Sequence, residues 1–274
     1  MIKLFATDLD ETLLVNGRVP KENIQALQRM EEAGVKLCFI SGRSISSVRY
    51  LIDRAGIHAA AIGSNGSLVQ DETGKVLLQK EISQSLMEKI LDLSNQYKVY
   101  FHFYDRSGAF VTPRLLNDRF SHLRIEEDER GTLYQCSVIC DPFLSDHWDR
   151  YHSVKVQYTV TPEKGKLIER ELRKLPGLSV TYSGAIYLEA MEESVTKWSA
   201  LHFYASQLGI RDSEIMACGD YLNDLEMVRE AGYGVAVGNS LPDLKEAAFY
   251  VTGPCNEFGI AQAAEEFFQR GYFV

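Results

Sequence analysis

The amino-acid sequence predicts an α/β fold in which a parallel sheet forms the core and an α+β domain is inserted into it. Three observations carry that expectation. Short, almost continuous apolar runs alternate with helical patterns at both ends of the chain, as buried parallel strands joined by helices do. The middle, about 83–187, instead alternates polar and apolar residues in short runs, the pattern of a sheet with one exposed face. Charge is also divided unevenly: 83–187 holds 14 basic and 14 acidic residues, while the remainder holds 15 and 24 and so carries the whole formal charge of −9.

Residues 2–7, IKLFAT, are the first strand. Pro20 opens a helix with Ile24, Leu27, Met30 and Ala33 on one face, and Gly34 stops it. VKLCFI at 35–40 is the second strand; Ile45, Val48, Leu51, Ile52 and Ala55 make a helical stripe closed by Gly56; AAAIG at 59–63 is the third strand. In the middle, strand-like runs at 98–104, 107–112, 155–160, 178–183 and 185–190 surround two helical patterns, Leu86, Ile90, Leu93, Tyr97 and Leu167, Ile168, Leu172, Leu175. The first grammar then returns. Val195, Trp198, Leu201, Ala205 and Leu208 form a helix ended by Gly209, EIMACG is a strand, Leu225, Val228 and Ala231 line a short helix stopped by Gly232, and YGVAVG at 233–238 is the next buried run.

At 274 residues the chain has room for one large domain or two modest ones. A hydrophobic content of 45% with 24% charged residues excludes a disordered or fibrous chain. The acidic balance offers no general basic face, so no nucleic-acid partner is expected. No apolar run approaches the ~20 residues of a membrane-spanning helix, and a soluble, untargeted chain follows. The cysteines Cys38, Cys136, Cys140, Cys218 and Cys255 are scattered and odd in number, which fits a reducing cytoplasm. Cys136 and Cys140 lie close, but no second pair completes a zinc site.

Ligands of an open parallel sheet bind beyond the carboxyl ends of its strands. Here those ends are polar: Asp8-Leu9-Asp10-Glu11-Thr12, Ser41-Gly42-Arg43, Ser64-Asn65-Gly66, Gly219-Asp220-Tyr221-Leu222-Asn223-Asp224 and Gly238-Asn239-Ser240. Four aspartates from two strand ends are unfavourable together unless a cation sits among them. Oxygen ligands suit Mg²⁺, which takes one or two carboxylates plus phosphate oxygens and leaves an aspartate oxygen free to attack phosphorus. Asp10 is placed to protonate the leaving oxygen and then deprotonate water, which asks for a pKa raised from about 3.9. Asp-x-Asp can also be turn and capping chemistry; the second pair, Asp220 and Asp224, favours function. Ser41 and Gly42 can offer a hydroxyl and N–H groups to a phosphate, or simply form a loop before a helix. Lys197 lies in the first turn of its helix after a Ser194 cap, where the dipole disfavours a cation. It calls for a phosphate or a rim aspartate, unless its tip is solvated. The six histidines pair with no Ser or Cys, and no dinucleotide fingerprint or P-loop is present. His102 in YFHFY reads as strand packing.

DLDETL at 8–13, ISGR at 40–43, SNGS at 64–67, Lys197 and GDYLND at 219–224, in that order, with GNS at 238–240 and NEFG at 256–259, resemble the haloacid dehalogenase-like hydrolase superfamily. The likeness is to its Cof-type phosphatases with a large α/β cap and covers nearly the whole chain. It implies a Rossmann-like core of 1–82 and 188–274 and an inserted α+β cap of 83–187 that closes over the strand ends. It further implies that Asp8 is a nucleophile forming an aspartyl-phosphate and Asp10 the general acid and base. Ser41, Gly42, Lys197 and Asn223 would bind the phosphate. Asp8, the backbone carbonyl of Asp10 and Asp220 would ligate Mg²⁺, with Asp224 supporting them. Glu11 stands where the family usually has Gly, and Trp198 where Gly often follows the lysine. The expected activity is Mg²⁺-dependent hydrolysis of a small phosphorylated metabolite, such as a sugar phosphate or a phosphorylated cofactor, by a cytoplasmic monomer or dimer with no membrane partner. A phosphotransferase or phosphomutase of the same fold and a phosphometabolite sensor are the alternatives, separated by product analysis and by turnover. Phe101, Tyr104, Trp148, Tyr151, Tyr158 and Tyr182 either stack on the substrate or fill the inserted core.

Overall fold

The computed structural model describes residues 1–113, 125–127, 133–135 and 137–273. Its first part runs β1 (Leu4–Thr7), α1 (Lys21–Glu32), β2 (Lys36–Ile40), α2 (Ile45–Ala55), β3 (Ala59–Gly63), β4 (Leu68–Gln70) and β5 (Val76–Gln79). The inserted part follows as α3 (Gln84–Tyr97), β6 (Tyr100–Asp105), β7 (Phe110–Thr112), β8 (Ile125–Glu127), β9 (Leu133–Gln135), β10 (Val138–Cys140), β11 (Ser153–Thr159), α4 (Pro162–Leu172), β12 (Leu178–Gly184) and β13 (Tyr187–Glu192). The chain then returns through α5 (Lys197–Gln207), β14 (Ile215–Gly219), α6 (Leu225–Glu230), β15 (Tyr233–Ala236), α7 (Pro242–Ala247), β16 (Tyr250–Val251) and α8 (Gly259–Gln269).

The first sheet has the order β16-β15-β14-β1-β2-β3-β4-β5. Pairing is parallel from β16 to β3 and antiparallel from β3 through β5. The five strands expected outside the middle all lie in it. β4, β5 and β16 are additions, each too short to show a period, and α8 is unannounced because Phe258, in a left-handed conformation, precedes it instead of a side-chain cap. Both faces are covered, Phe5, Phe39, Val48 and Ile260 packing on one and Leu4, Ile40, Leu201 and Ile215 on the other. The cap of α5 is Thr196 and not Ser194: the Thr196 hydroxyl accepts the Ser199 N–H (3.0 Å), the Ser199 hydroxyl accepts the Thr196 N–H (2.9 Å), and Ser194 donates instead to Glu192. Lys197 is therefore the first residue of the helix.

The second sheet has the order β10-β7-β6-β11-β13-β12 and lies apart from the short β8–β9 pair. On one face Phe101, Phe103, Val156, Tyr158 and Leu188 pack with Ile90, Ile168 and Leu172 of α3 and α4. Trp148 joins this core, Tyr151 and Tyr182 pack against it half-buried, and Tyr104 is buried in the core of the first unit, so all six aromatic residues weighed as stacking groups are packing residues. His102 is buried on the other face, its ring 5.8 Å from Tyr100, 5.4 Å from Tyr104 and 5.3 Å from Phe110. That face was expected to be exposed. Where it carries Lys155 and Glu189 it is not, because it covers the strand ends of the first sheet and each of these residues is 1% exposed. The expected limit at 187 falls on the first residue of β13, which runs on to Glu192 between β11 and β12. Cys136 lies outside the described residues; Cys38, Cys140, Cys218 and Cys255 are free. Among the described residues no helix is long and apolar enough to cross a membrane.

Candidate active site

Parallel pairing places Thr7 opposite Cys218 on one side and Phe39 on the other, so the residues that follow β1, β14 and β2 emerge side by side. The Asp8 N–H donates to the Cys218 carbonyl (2.9 Å), which brings the Asp8 carboxylate against the turn 219–224. One oxygen from each of Asp8, Asp220 and Asp224 lies within 4.8 Å of the others, and none of the three residues is more than 9% exposed. Lys197 reaches in from α5, its Nζ donating to Asp8 Oδ1 (2.5 Å) and Asp224 Oδ1 (2.6 Å). The unfavourable place of a cation at a helix start is thus offset by two carboxylates. Asp224 Oδ2 accepts the N–H groups of Asp220 and Tyr221 (3.1 Å each), and Thr12 donates to Asp220 Oδ1 (2.9 Å). Asp224 is therefore spent on the lysine and on its own turn, while Oδ2 of Asp8 and Oδ2 of Asp220 accept no hydrogen bond among the described residues. Gly219 makes the arrangement possible, since a Cβ there would lie 2.4 Å from that of Asp224.

Three carboxylates share one lysine, and their proton affinities record the imbalance. Burial raises the Asp8 carboxyl well above its ordinary value; Lys197 pulls it back, and the other aspartates push it up again. Burial and then Asp224 push Asp220 up to about 7. Burial opposes the charge of Lys197, but Asp224 and Asp8 outweigh it and hold the ammonium protonated. An all-oxygen donor set with excess negative charge and open oxygens on two aspartates fits a hard divalent cation.

Asp10 lies in a wide turn, 9–13, closed by the Leu14 N–H on the Leu9 carbonyl (2.8 Å). Glu11 holds the left-handed conformation there (φ 58°), the backbone shape that the family's usual glycine would adopt without strain. The Asp10 carboxylate turns away from the other three and is gripped by Arg43, Nε on Oδ2 (2.8 Å) and a terminal nitrogen on Oδ1 (2.5 Å). Its expected upward pKa shift is not what the structure shows. Desolvation works in that direction, but the guanidinium outweighs it and holds the carboxyl below its ordinary value, in keeping with a side chain still 54% exposed. Ser41 follows β2 directly, and its Oγ accepts the Arg43 N–H (3.2 Å). Asn223 donates to Asn65 Oδ1 (3.2 Å). The structure thus gathers Asp8, Lys197, Asp220 and Asp224 into one cluster and sets Asp10, Ser41, Gly42 and Asn223 on the adjoining turns. Thr12, Arg43 and Asn65 stood inside the motifs without a role. Lys155 and Glu189 were missed altogether, their one signal being a charge between apolar strand neighbours, Val154 and Val156 or Leu188 and Ala190.

The chain resembles known proteins over nearly its whole length. The chain is 28% identical to the 5-amino-6-(5-phospho-D-ribitylamino)uracil phosphatase YcsE of Bacillus subtilis, over 96% of this chain and 94% of that one. It is 27% identical to the HMP-PP phosphatase of Citrobacter koseri, over 89% and 87%. A solved structure of a haloacid dehalogenase-like hydrolase from B. subtilis superposes with a TM-score of 0.86 at 25% identity, covering 96% of this chain and 99% of the other. Residues 5–263 match the sequence model of the haloacid dehalogenase-like hydrolases, and the chain belongs to that family.

Proposed function

We propose that the protein hydrolyses small phosphate monoesters with Mg²⁺ through a covalent aspartyl-phosphate on Asp8. The observation that carries this reading is the buried group of Asp8, Asp220 and Asp224 around Lys197 at the ends of two adjacent parallel strands. Asp8, Asp220 and the backbone carbonyl of Asp10, with Asp224 in support, would hold the ion. Bound Mg²⁺ would supply the positive charge that carboxylates and a phosphate need together.

In the first step an oxygen of Asp8 attacks phosphorus and the bond to the ester oxygen breaks. That oxygen leaves with the electron pair and takes a proton from Asp10. In the second step water gives a proton to Asp10 and attacks phosphorus, the bond to Asp8 breaks, and inorganic phosphate departs. Lys197 orients Asp8 and pulls its proton affinity down, while Ser41, Gly42 and Asn223 hold phosphate oxygens. Asp10 must let go of Arg43 before it can serve as the acid, because the pair keeps it ionised. The inserted α+β unit acts as a cap over the strand ends, excluding water before the first step. The names of the relatives, an HMP-PP phosphatase and a 5-amino-6-(5-phospho-D-ribitylamino)uracil phosphatase, support a small phosphorylated metabolite as substrate, with sugar phosphates and phosphorylated cofactors the first to try.

The test is phosphate release from a panel of such esters, with magnesium present or chelated and Asp8→Asn alongside. Release that needs magnesium and disappears in the variant is the expected result. Wild-type turnover in Asp8→Asn would sink the nucleophile assignment.

A further inference from the structure

Lys155 of β11 and Glu189 of β13 are buried charges that belong to the inserted unit and face the first one. Lys155 Nζ donates to Glu189 Oε1 (2.6 Å) and to the Gly42 carbonyl (2.5 Å), and lies 4.1 Å from the centre of the Tyr104 ring. Glu189 Oε2 accepts from Asn65 Nδ2 (2.6 Å), and Asn65 Oδ1 in turn accepts from Asn223. Two branches therefore leave this ion pair. Along one, Lys155 holds the carbonyl of Gly42, and the other end of that planar peptide is the Arg43 N–H that bonds the Ser41 hydroxyl. Along the other, Glu189 fixes Asn65, which fixes Asn223. Both branches end on side chains assigned to the phosphate. The fit is close, since a Cβ at Gly42 would lie 3.1 Å from Asn65 Oδ1 and 3.4 Å from Lys155 Nζ. Stability alone does not account for the pair, because well-packed apolar residues commonly replace a buried ion pair without loss.

We infer that Lys155 and Glu189 are positioning residues: seating the inserted unit on the strand ends sets Ser41 and Asn223 in the arrangement that receives the phosphoryl group. The inference rests on the phosphatase reading. It explains why these charges sit on the covered face of the second sheet, and it ties the order of the phosphate loop to closure of a different part of the chain.

Two variants test it with the full chain. Glu189→Gln keeps the size of the side chain but removes the charge opposite Lys155. Asn65→Gly keeps the left-handed backbone (φ 57°) and cuts Asn223 off from Glu189, which loses that amide donor but keeps its pairing with Lys155. kcat and KM on the best ester, and the Kd of inorganic phosphate in magnesium, are measured for each. A misplaced binding group of this kind is expected to lower kcat by about 10- to 100-fold, with weaker phosphate binding and a cooperative melt retained in Asn65→Gly. Lys155→Met combined with Glu189→Gln separates positioning from mere neutralisation: positioning leaves the double variant impaired, whereas recovery of activity in it would overturn the inference. Unchanged kcat and phosphate Kd in Asn65→Gly and Glu189→Gln would overturn it as well. A wild type inactive on every ester would refute the phosphatase reading; phosphate binding alone then decides the positioning role, and equal Kd in wild type and both variants would refute that too.

Discussion

Lys197 answers two buried carboxylates with one ammonium, so its removal tests the cluster more directly than removal of any single aspartate. Lys197→Met leaves Asp8 and Asp224 buried without a countercharge, and breaking such a pair costs roughly 3–5 kcal/mol. Denaturant unfolding of the metal-free variant should show a loss of that order, and phosphate release should vanish in the folded fraction because Asp8 loses the group that orients it. An unfolding midpoint equal to wild type would mean that the aspartates neutralise themselves by other means. The aspartates were legible in the sequence because charge at the end of an apolar strand is conspicuous, and the lysine because a cation in the first turn of a helix calls for a partner. The Asp10–Arg43 grip was not: spacing places both residues on one rim, but only the folded loops decide which long side chain reaches which carboxylate. Lys155 and Glu189 were hidden for a related reason, since alternation along a strand identifies a face without revealing what covers it.

The turn after β14 is the element on which most of the site depends. It hangs on Asp224 Oδ2, which accepts two N–H groups of the same turn, and on Gly219, which leaves room for that carboxylate. Gly219→Ala would place a methyl 2.6 Å from the Asp224 carboxyl carbon. Overpacking of this kind costs about 1–3 kcal/mol, and activity should fall further than stability because Asp224 is moved off Lys197. Thermal melts and phosphate release measure the two losses; an alanine variant with wild-type values in both would show that the turn gives way freely. Elements of this length divide sharply in legibility. β1, β2, β3, β14 and β15 announced themselves as buried runs bounded by helices, whereas β4 and β16, three and two residues long, owe their existence to the strands beside them. β13 runs past its expected end at 190 because its ladder with β12 continues, Met191 opposite Ser179 and Glu192 opposite Leu178.

At the scale of the molecule, the two units should meet acid differently in the absence of metal. His102 is buried in the second unit, where burial and then Lys155 hold its pKa down to about 3. As pH falls below about 6.5 the unfolded chain gains a proton there that the folded one refuses, so the second unit loses stability. Asp8 and Asp220 run the other way. Their folded carboxyls bind protons more tightly than the unfolded value of about 3.9, so acidification from about pH 7 to 4 relieves repulsion and adds stability to the first unit. The second unit should therefore open first. Trp148 lies in its core and Trp198 in α5, so Trp198→Phe and Trp148→Phe each leave one reporter. Emission from Trp148 should change at a higher pH than that from Trp198, and His102→Phe should lower the Trp148 midpoint; a single coincident transition would contradict the scheme. The pairing of β1 with β14 has a consequence in time as well. The strand that carries Asp8 gains its second neighbour only when Ile215–Cys218 have been synthesised. At about 5–20 residues per second, one edge of β1 waits roughly 10–40 s after it leaves the ribosome. The second sheet, encoded wholly between residues 100 and 192, has all its strands about 1–5 s before then. Translation thus imposes an order on this molecule: the second sheet is made before the first is complete, and the aspartate cluster is among the last parts to be assembled.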